Sequence, residues 1–380
     1  MRLRCLRSGL PEKYQDRQRI SGREPRDRPR RQILRVRVHQ YGRLHPKRHA
    51  FRGENYMRVN IRVENYGSFK YVGCSTAGVM LYEGLLKIPG VEVEFNSCKH
   101  DHDITHCHTI GPGAFWSQTR AKGSTLLTVH SVPSLNTGNL AVASLINKFY
   151  RPMYRRYDGL ITLTDYSEKE INEMLPGKKT YRMTNCVNRD RFRPDKEKRA
   201  VFREKYGLGE DDKVILQVAQ QTPRKGIYDY IEMAGRLPEY KFVWIGGFSY
   251  GAFSSEKKEV ERRKEKAPSN MIFPGFVEDV AAAYAAADVF WIPSYKEIMP
   301  MSILEALASG LPVIARELHE YRSLYPGIAA YYEKNDDLIP LLADDEMLKT
   351  AAAGARGSVE RNDMNNVAKM HAELYKEILA

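Results

Sequence analysis

Short β-rich runs alternate with helical patterns of apolar residues from Met57 onward. Runs typical of strands lie at 58–63, 126–129, 159–163, 214–218, 242–245, 289–292 and 313–315. Apolar positions with helical spacing predict helices between them, at 75–87, 139–155, 167–174, 227–237, 278–286 and 301–309. This alternation predicts parallel sheets covered by helices on both faces, which is the doubly wound α/β class.

A charged segment divides this pattern into two halves of similar size. Apolar residues become rare and charges crowd together at residues 188–199, NRDRFRPDKEKR. We therefore predict two Rossmann-like domains, an amino-terminal one at 57–194 and a carboxyl-terminal one at 195–365. Ligands of such sheets bind beyond the carboxyl ends of the strands, so a cleft between the domains is the expected binding site.

The positive charge of the chain is concentrated in its first 56 residues. Residues 1–56 hold 15 Arg and 2 Lys against 5 Asp or Glu, a net charge of +12, whereas the remainder carries +1. This segment has no sustained apolar period, so we predict a disordered basic extension or, if translation starts at Met57, untranslated sequence. A nucleic-acid-binding arm is the less favoured alternative.

Cysteine usage and hydropathy bear on where the protein resides. Five scattered cysteines argue against a disulfide framework and favour a reducing compartment. No apolar run reaches the length of a bilayer-spanning helix, so we expect a cytoplasmic protein.

Residues 147–159, NKFYRPMYRRYDG, interleave basic and aromatic side chains. Contact with an anionic membrane at its cytoplasmic face is one interpretation of this segment, and a solvated helix face is the other.

Two glutamates stand eight residues apart in SYKEIMPMSILEALASGLPVIA, residues 294–315. Glu297 follows strand 289–292 and therefore lies beyond the carboxyl end of that strand. Glu305 lies one turn into the next helix, where its carboxylate can accept hydrogen bonds from two neighbouring hydroxyls. Helix capping is the ordinary alternative for an acid near a first helical turn.

The helix start between these glutamates has the properties of a phosphate site. Pro300 suits the first helical position. The free N–H groups at Met301 and Ser302 would face the cleft together with the positive end of the helix dipole. A diphosphate at this point, with a carboxylate on either side, describes a nucleotide-sugar.

Two further turns follow predicted strands. Arg224 and Lys225 stand between strand 214–218 and the next helix. Two cations there can neutralise a diphosphate and stabilise it as a leaving group, although solvated charges are the alternative. Gly275 marks a tight turn just before Phe276, and this turn can approach a nucleotide base.

The carboxyl-terminal half contains an ordered set of motifs: TPRKG, FVWIGG, MIFPGFVED and AAADVFWIPSYKEIMPMSILEALASGLPVIA. With this set it resembles the same domain of family 4 retaining glycosyltransferases, which have the GT-B fold. The amino-terminal half is similar to the same family through DITHCHT, TVHS and LITLTDYSEKEI. The resemblance covers about 57–380 and implies two Rossmann-like domains facing a central cleft. It also implies a final helix, 366–380, that crosses back to the amino-terminal domain. Diacylglycerol glucosyltransferases and phosphatidylinositol mannosyltransferases are members of this family.

The resemblance implies a role for each matching residue. Glu297 matches the first glutamate of the family's E-x7-E motif, which contacts the donor sugar, and Glu305 matches the second, which binds the ribose. Lys225 matches a phosphate-binding lysine. The implied site consists of the catalytic residues Glu297, His130, Lys225 and Arg224, the donor-binding residues Glu305, Met301, Ser302, Gly73, Pro300 and Phe276, and the acceptor-side residue His108.

Two features qualify this resemblance. The family usually has an arginine a few residues before the lysine, where this chain has Ala219, Gln220 and Gln221, so Arg224 is the candidate substitute. Residues 98–109, CKHDHDITHCHT, mimic a metal site, but alternate side chains of a strand point to opposite faces and cannot all converge. Catalysis in the family needs no metal, so we expect neither a metal nor another cofactor.

These observations predict a retaining glycosyltransferase that moves a hexose from a UDP- or GDP-linked sugar to a hydroxyl of a lipid or glycan acceptor. One alternative is a sugar-nucleotide epimerase on the same scaffold, which would convert the donor without an acceptor. The other is a non-catalytic GT-B protein that only binds its ligand.

Overall fold

The computed structural model describes residues 56–136, 143–249, 251, 254 and 256–380. The basic extension predicted at 1–56 therefore lies outside the described residues, except for Tyr56. The described residues form two parallel six-stranded sheets with helices packed on both. The predicted doubly wound α/β fold is confirmed.

The amino-terminal sheet has the strand order β2-β1-β3-β4-β5-β6, and every neighbouring pair is parallel. The direction of winding therefore reverses between β1 and β3, and such a switch point opens a crevice beyond the strand ends. The strands are β1 Met57–Arg62, β2 Val91–Phe95, β3 Ile104–Cys107, β4 Ser124–Thr128, β5 Gly159–Thr162 and β6 Thr180–Arg182.

The carboxyl-terminal sheet repeats this arrangement with the order β12-β11-β10-β7-β8-β9, again all parallel. Its switch point lies between β7 and β10. The strands are β7 Val214–Val218, β8 Lys241–Ile245, β9 Met271–Gly275, β10 Val289–Ile292, β11 Val313–Arg316 and β12 Ala330–Tyr332.

Helices connect the strands within each sheet. In the amino-terminal half they are α1 Gly73–Leu85, α2 Pro112–Arg120, α3 Pro133–Asn136, α4 Ala143–Arg155 and α5 Asp165–Met174. Those that follow are α6 Lys196–Tyr206, α7 Ile227–Arg236, α8 Lys257–Glu265, α9 Val280–Ala286, α10 Met301–Ala308, α11 Tyr321–Leu324, α12 Leu338–Ala343, α13 Asp345–Ser358 and α14 Met364–Leu379. Short 3₁₀ helices lie at Gly67–Tyr71, Pro223–Lys225, Asn335–Asp337 and Glu360–Asn362.

Every predicted helix and strand overlaps an element of this list. The elements that were not predicted are helices α2, α3, α6, α8, α11, α12 and α13 and strands β2, β6 and β12. Helix α13 has the sequence DEMLKTAAAGARGS, and Ala355 is its one fully buried residue. Helix α8, KKEVERRKE, buries only Val260. Such polar helices lack the apolar stripe on which prediction from periodicity depends.

The last helix, α14, packs on the amino-terminal half of the molecule. Its side chains Ala368, Ala372 and Tyr375 are buried in one cluster with β1 and α1 residues such as Val59 and Leu85. The chain therefore returns to the first sheet after completing the second. Within the described part of the chain, no helix is both long and apolar enough to cross a bilayer.

A glycine of α1 lies where α14 packs closely, and a glycine of α13 in open space serves for comparison. A Cβ built on Gly84 of α1 would lie 2.8 Å from the Met364 carbonyl oxygen and 2.8 Å from the Ala368 Cβ, whereas one on Gly354 of α13 has no neighbour within 4 Å. We expect Gly84→Ala to destabilise the fold by about 1–3 kcal/mol through overpacking. Gly354→Ala, which is the matched control, should stabilise it by about 0.5–1 kcal/mol. Urea unfolding followed by circular dichroism measures both, and equal effects of the two substitutions would contradict the close packing.

Candidate active site in the interdomain cleft

The switch point of the carboxyl-terminal sheet brings three predicted site residues together. Strands β7 and β10 are neighbours, with Ile215 opposite Val289. Arg224 and Lys225 lie in the 3₁₀ turn after β7, and Glu297 lies in the loop after β10. Since both strands end at the same edge of the sheet, residues 73 positions apart in sequence emerge side by side.

Glu297 forms ion pairs with both cations. Lys225 Nζ donates a short hydrogen bond to Glu297 Oε1, and Arg224 Nη1 lies 3.4 Å from Glu297 Oε2. Arg224 Nη1 also donates to the backbone carbonyl of Lys296. The exposed fractions of the three side chains are 7% for Glu297, 16% for Lys225 and 11% for Arg224. The group is therefore a largely desolvated carboxylate held between two cations, and we call it the Glu297 triad.

Burial and charge shift the pKa values of this triad in defined directions. Burial lowers the pKa of Lys225 to about 8, although the Glu297 carboxylate acts in the opposite sense. Burial by itself would raise the pKa of Glu297, but the charges of Lys225 and Arg224 outweigh it and the pKa is lowered. At pH 7 the carboxylate is ionised and the lysine is mostly protonated.

Helix α10 begins next to the triad without a side-chain cap. Pro300 is the N-cap residue and Met301 opens the helix, at the start of the predicted range 301–309. The first N–H groups of a helix have no partner within the helix, so those of Met301 and Ser302 are available to a ligand. Tyr325 Oη donates to the Pro300 carbonyl at 3.1 Å and fixes the entry into this turn.

The amino-terminal half meets this helix start through Gly73. A Cβ built on Gly73 would lie 3.8 Å from Cγ of Met301. Gly73 opens α1, which follows β1 at the switch point of the first sheet. The first turns of α1 and α10 thus lie against each other.

Glu305 lies behind the first turn of α10. Only 6% of the residue is exposed, and its Oε2 accepts a hydrogen bond of 2.8 Å from Tyr284 Oη. Burial raises the pKa of Glu305, while the Tyr284 bond and the charge of Arg191 act against it. Tyr284 was not predicted, because a tyrosine in the alanine-rich α9 has the pattern of an ordinary core residue. The predicted contact of Glu305 with a ribose stays a prediction.

Phe276 contacts the amino-terminal half directly. Its ring stacks on that of Tyr71, with centroids 4.7 Å apart and an angle of 14° between the planes. Tyr71 ends the 3₁₀ helix that precedes α1, and nothing in the sequence pattern distinguished it. The pair is a direct contact between the two halves, next to the turn predicted to approach a nucleotide base.

His130 and His108 form a hydrogen-bonded pair beyond the ends of β4 and β3. His108 Nδ1 and His130 Nε2 are 3.1 Å apart. Burial lowers the pKa of His130 to about 3 and that of His108 well below its usual value, so both rings are neutral at pH 7. His108 is only 4% exposed, and the predicted contact with an acceptor would require this side chain to become accessible.

The segment that mimics a metal site disperses its side chains, as the alternation along a strand predicts. His102 bonds to Glu94 at 3.2 Å, while His106 bonds to Tyr375 Oη and to Thr128 Oγ1, both at 2.7 Å. Among the described residues, no three or more His, Cys, Asp or Glu side chains are arranged to hold a metal ion. The expectation that no cofactor is needed stays a prediction.

Exposed apolar side chains gather on helices α2 and α4 of the amino-terminal half. Basic residues accompany them: Arg120 lies 3.7 Å from the Trp116 ring and Arg156 lies 4.9 Å from the Phe115 ring. Arg156 also bonds to Gln118, which joins α2 to the end of α4. The exposed residues, which we call the apolar patch, are Phe115, Trp116, Leu145 and Phe149.

Comparison with known proteins gives a family for the carboxyl-terminal half. Residues 198–323 match the family model described as glycosyl transferases group 1. This range contains β7 to β11 and therefore the complete Glu297 triad, the start of α10 and Glu305.

Two relatives in sequence make glycolipids according to their names. The chain is 28% identical to the alpha-galactosylglucosyldiacylglycerol synthase of Streptococcus pneumoniae over 289 residues, which are 72% of this chain and 77% of that protein. It is 32% identical to the processive diacylglycerol alpha-glucosyltransferase of Acholeplasma laidlawii over 183 residues, 47% of this chain and about half (54%) of that protein.

Solved structures share the fold at low sequence identity. Anabaena HepE in complex with UDP and glucose superimposes with a TM-score of 0.68 at 16% identity, covering 84% of this chain and 100% of that one. WaaG, a glycosyltransferase involved in lipopolysaccharide biosynthesis, superimposes with a TM-score of 0.62 at 17% identity, covering 83% and 99%. Residues 198–323 therefore match the group 1 glycosyltransferases, and the chain shares the GT-B fold of these solved structures.

Proposed function

We propose that this protein is a retaining glycosyltransferase that moves a hexose from a UDP- or GDP-linked sugar to a hydroxyl of a lipid or glycan acceptor. The observation that carries the proposal is the Glu297 triad beside the uncapped start of α10. The names of the Streptococcus and Acholeplasma relatives favour a lipid acceptor.

The site supplies positive charge where a departing nucleoside diphosphate would develop negative charge. Lys225 and Arg224 contribute two cations, and the N–H groups of Met301 and Ser302 contribute the positive end of a helix. An ammonium group has three donors, so Lys225 can bind a phosphate oxygen while it keeps its bond to Glu297. Preorganised donors in a site largely closed to water stabilise a transition-state charge without reorganisation.

Glu297 has two tasks in this proposal. It fixes the positions of both cations, and it presents a carboxylate to the donor sugar near the reacting carbon, where positive charge develops. His130, on the opposite wall of the cleft, orients the reacting hydroxyls. The charge of the two cations and the helix start makes a resident metal unnecessary, and we propose catalysis without one.

Substitution of Glu297 tests the site. We expect Glu297→Gln, which keeps the shape and removes the charge, to reduce kcat by a factor on the order of 10²–10³, as for loss of a preorganised electrostatic group. The assay measures release of nucleoside diphosphate and glycosylated product from a panel of donors with a diacylglycerol acceptor in the presence of EDTA. Glu317→Gln is the control, because it breaks a comparable pair with Arg322 on the exposed surface.

The same assay separates the alternatives. Unchanged turnover in Glu297→Gln would contradict the proposed site, and activity that requires added divalent cations would contradict catalysis without a metal. Conversion of the donor into another nucleotide-sugar without acceptor would favour an epimerase, and binding without turnover would favour a non-catalytic protein. The coupling constant of the product's anomeric proton distinguishes retention from inversion.

The pKa of Lys225 predicts a pH dependence. Burial holds this pKa at about 8, so the phosphate-binding charge is present at pH 7 and is lost as the pH rises through about 8. The ratio kcat/KM for the donor reports groups of the free enzyme, so it should fall on the alkaline side. In Lys225→Arg the charge persists to much higher pH, and this alkaline decrease should move upward. An identical decrease in both proteins would assign it to another group.

We further propose that the apolar patch contacts an anionic membrane at its cytoplasmic face. Leu145 and Phe149 project from α4 beside the exposed cations Lys148, Arg151 and Arg155. Apolar side chains that enter the headgroup region next to basic ones give reversible membrane binding. This surface lies on the half of the molecule that would take a lipid acceptor.

Vesicle binding tests the membrane contact. Phe149→Ser should weaken binding to phosphatidylglycerol-containing vesicles, measured by sedimentation, about tenfold or more, since burial of a Phe side chain is worth about 1.5–3 kcal/mol. Val201→Ser is the matched control, because Val201 in α6 is 59% exposed and Phe149 is 58% exposed. Equal losses in both variants, or binding to neutral vesicles that matches binding to anionic ones, would contradict this surface as an anionic-membrane contact.

A further inference from the structure

The hydrogen bond between His108 and His130 bears on which ring nitrogen of His130 carries the hydrogen. Both rings are neutral, and a neutral imidazole carries a hydrogen on only one of its two nitrogens. One hydrogen therefore lies between His108 Nδ1 and His130 Nε2, which are 3.1 Å apart. Either ring can supply it, and the two cases differ in whether the other nitrogen of His130, Nδ1, carries a hydrogen.

The far side of His108 distinguishes the two cases. Its Nε2 is buried and has no hydrogen-bond partner among the described residues. If His130 supplied the hydrogen, His108 would carry its own hydrogen on Nε2 and would bury an unpaired N–H. If His108 supplies the hydrogen, Nε2 is only an unpaired acceptor. Buried N–H groups without a partner are rarer in proteins than under-satisfied acceptors, so the second case is favoured.

The other side of the pair borders the cleft. His130 is partly exposed and directly follows Val129 at the end of β4. Four residues later, the Ser134 carbonyl accepts a hydrogen bond of 3.3 Å from Lys296 Nζ of the carboxyl-terminal half. The loop that carries His130 therefore faces the Glu297 triad, and the nitrogen that His130 can offer to a ligand is Nδ1.

We propose that His108 is a positioning residue that donates from Nδ1 to His130 and so fixes His130 in the tautomer with its hydrogen on Nδ1. In this tautomer His130 is a hydrogen-bond donor toward the cleft, suited to an oxygen of the donor sugar or of the attacking hydroxyl. The proposal deepens the proposed function and rests on it for the identity of that ligand, but the tautomer itself does not depend on turnover.

Nitrogen NMR of the ring measures the tautomer directly in the resting protein. With ¹⁵N-labelled histidine, long-range ¹H–¹⁵N spectra distinguish a protonated ring nitrogen from an unprotonated one, and His130→Gln identifies the His130 signals by their absence. We expect His130 to carry its hydrogen on Nδ1. A hydrogen on Nε2 of His130 would overturn the proposal, whether or not the protein turns out to transfer a sugar.

Two substitutions of His108 connect the tautomer to activity. The amide nitrogen of Asn lies close to the place of His Nδ1, so His108→Asn retains a donor to His130, whereas His108→Leu removes it. We expect His108→Leu to populate both tautomers and to lower kcat about tenfold to a hundredfold, with little change in the donor KM, as for a misplaced group at a reacting centre. His108→Asn should retain the tautomer and most of the activity.

A substitution of His102 is the control for those of His108. His102→Asn removes another buried histidine of the same half, which bonds to Glu94 and not to the pair, and should leave His130 unchanged. Equal losses in the Asn and Leu variants of His108, or an unchanged tautomer in His108→Leu, would reduce His108 to a packing residue. If His108→Leu does not fold, the spectrum of the unsubstituted protein still decides the tautomer.

Discussion

The ion pairs of Glu297 with Lys225 and Arg224 are the interaction on which the rest of the site depends. A buried charge is tolerated only when it is paired, and removing one partner of such a pair costs about 3–5 kcal/mol. The loops after β7 and β10 are therefore held together before any ligand binds. The same contacts keep two cations beside the uncapped start of α10, which is the preorganised positive charge that the proposed function requires.

Strand order explains why these groups meet at all. In each sheet the winding reverses beside the first strand, and the loops at that point separate to open a crevice. In the carboxyl-terminal sheet the Glu297 triad lies in the loops at this point. In the amino-terminal sheet Gly73 follows β1 and His108 follows β3 at the corresponding point. Helix α14 then returns to the first sheet, which anchors the end of the chain on the half that does not contain the triad.

The amino-terminal wall contributes neutral groups where the carboxyl-terminal wall contributes charged ones. Burial lowers the pKa values of His106, His108, His130 and His371, so these histidines are uncharged at pH 7 and make the hydrogen bonds of a neutral ring. The stack of Tyr71 on Phe276 adds an apolar contact at the edge of the same cleft. The proposed transfer of a sugar would use cations at a diphosphate and uncharged hydrogen-bonding groups at sugar hydroxyls, and the two halves offer these groups separately.

The sequence by itself determined the class of fold, because strand and helix periods are local properties, and the turns after its predicted strands indicated Arg224, Lys225 and Glu297 as candidate site residues. It did not predict several helices, among them α8 and α13, which bury one residue each, and it did not distinguish Tyr71 or Tyr284 as site residues. Only the tertiary structure decided that Lys225 and Arg224 bind Glu297, that Tyr284 bonds to Glu305, and that His108 is buried against His130. These contacts join residues that are far apart in sequence, and their distances depend on strand order and domain packing, which no local pattern encodes.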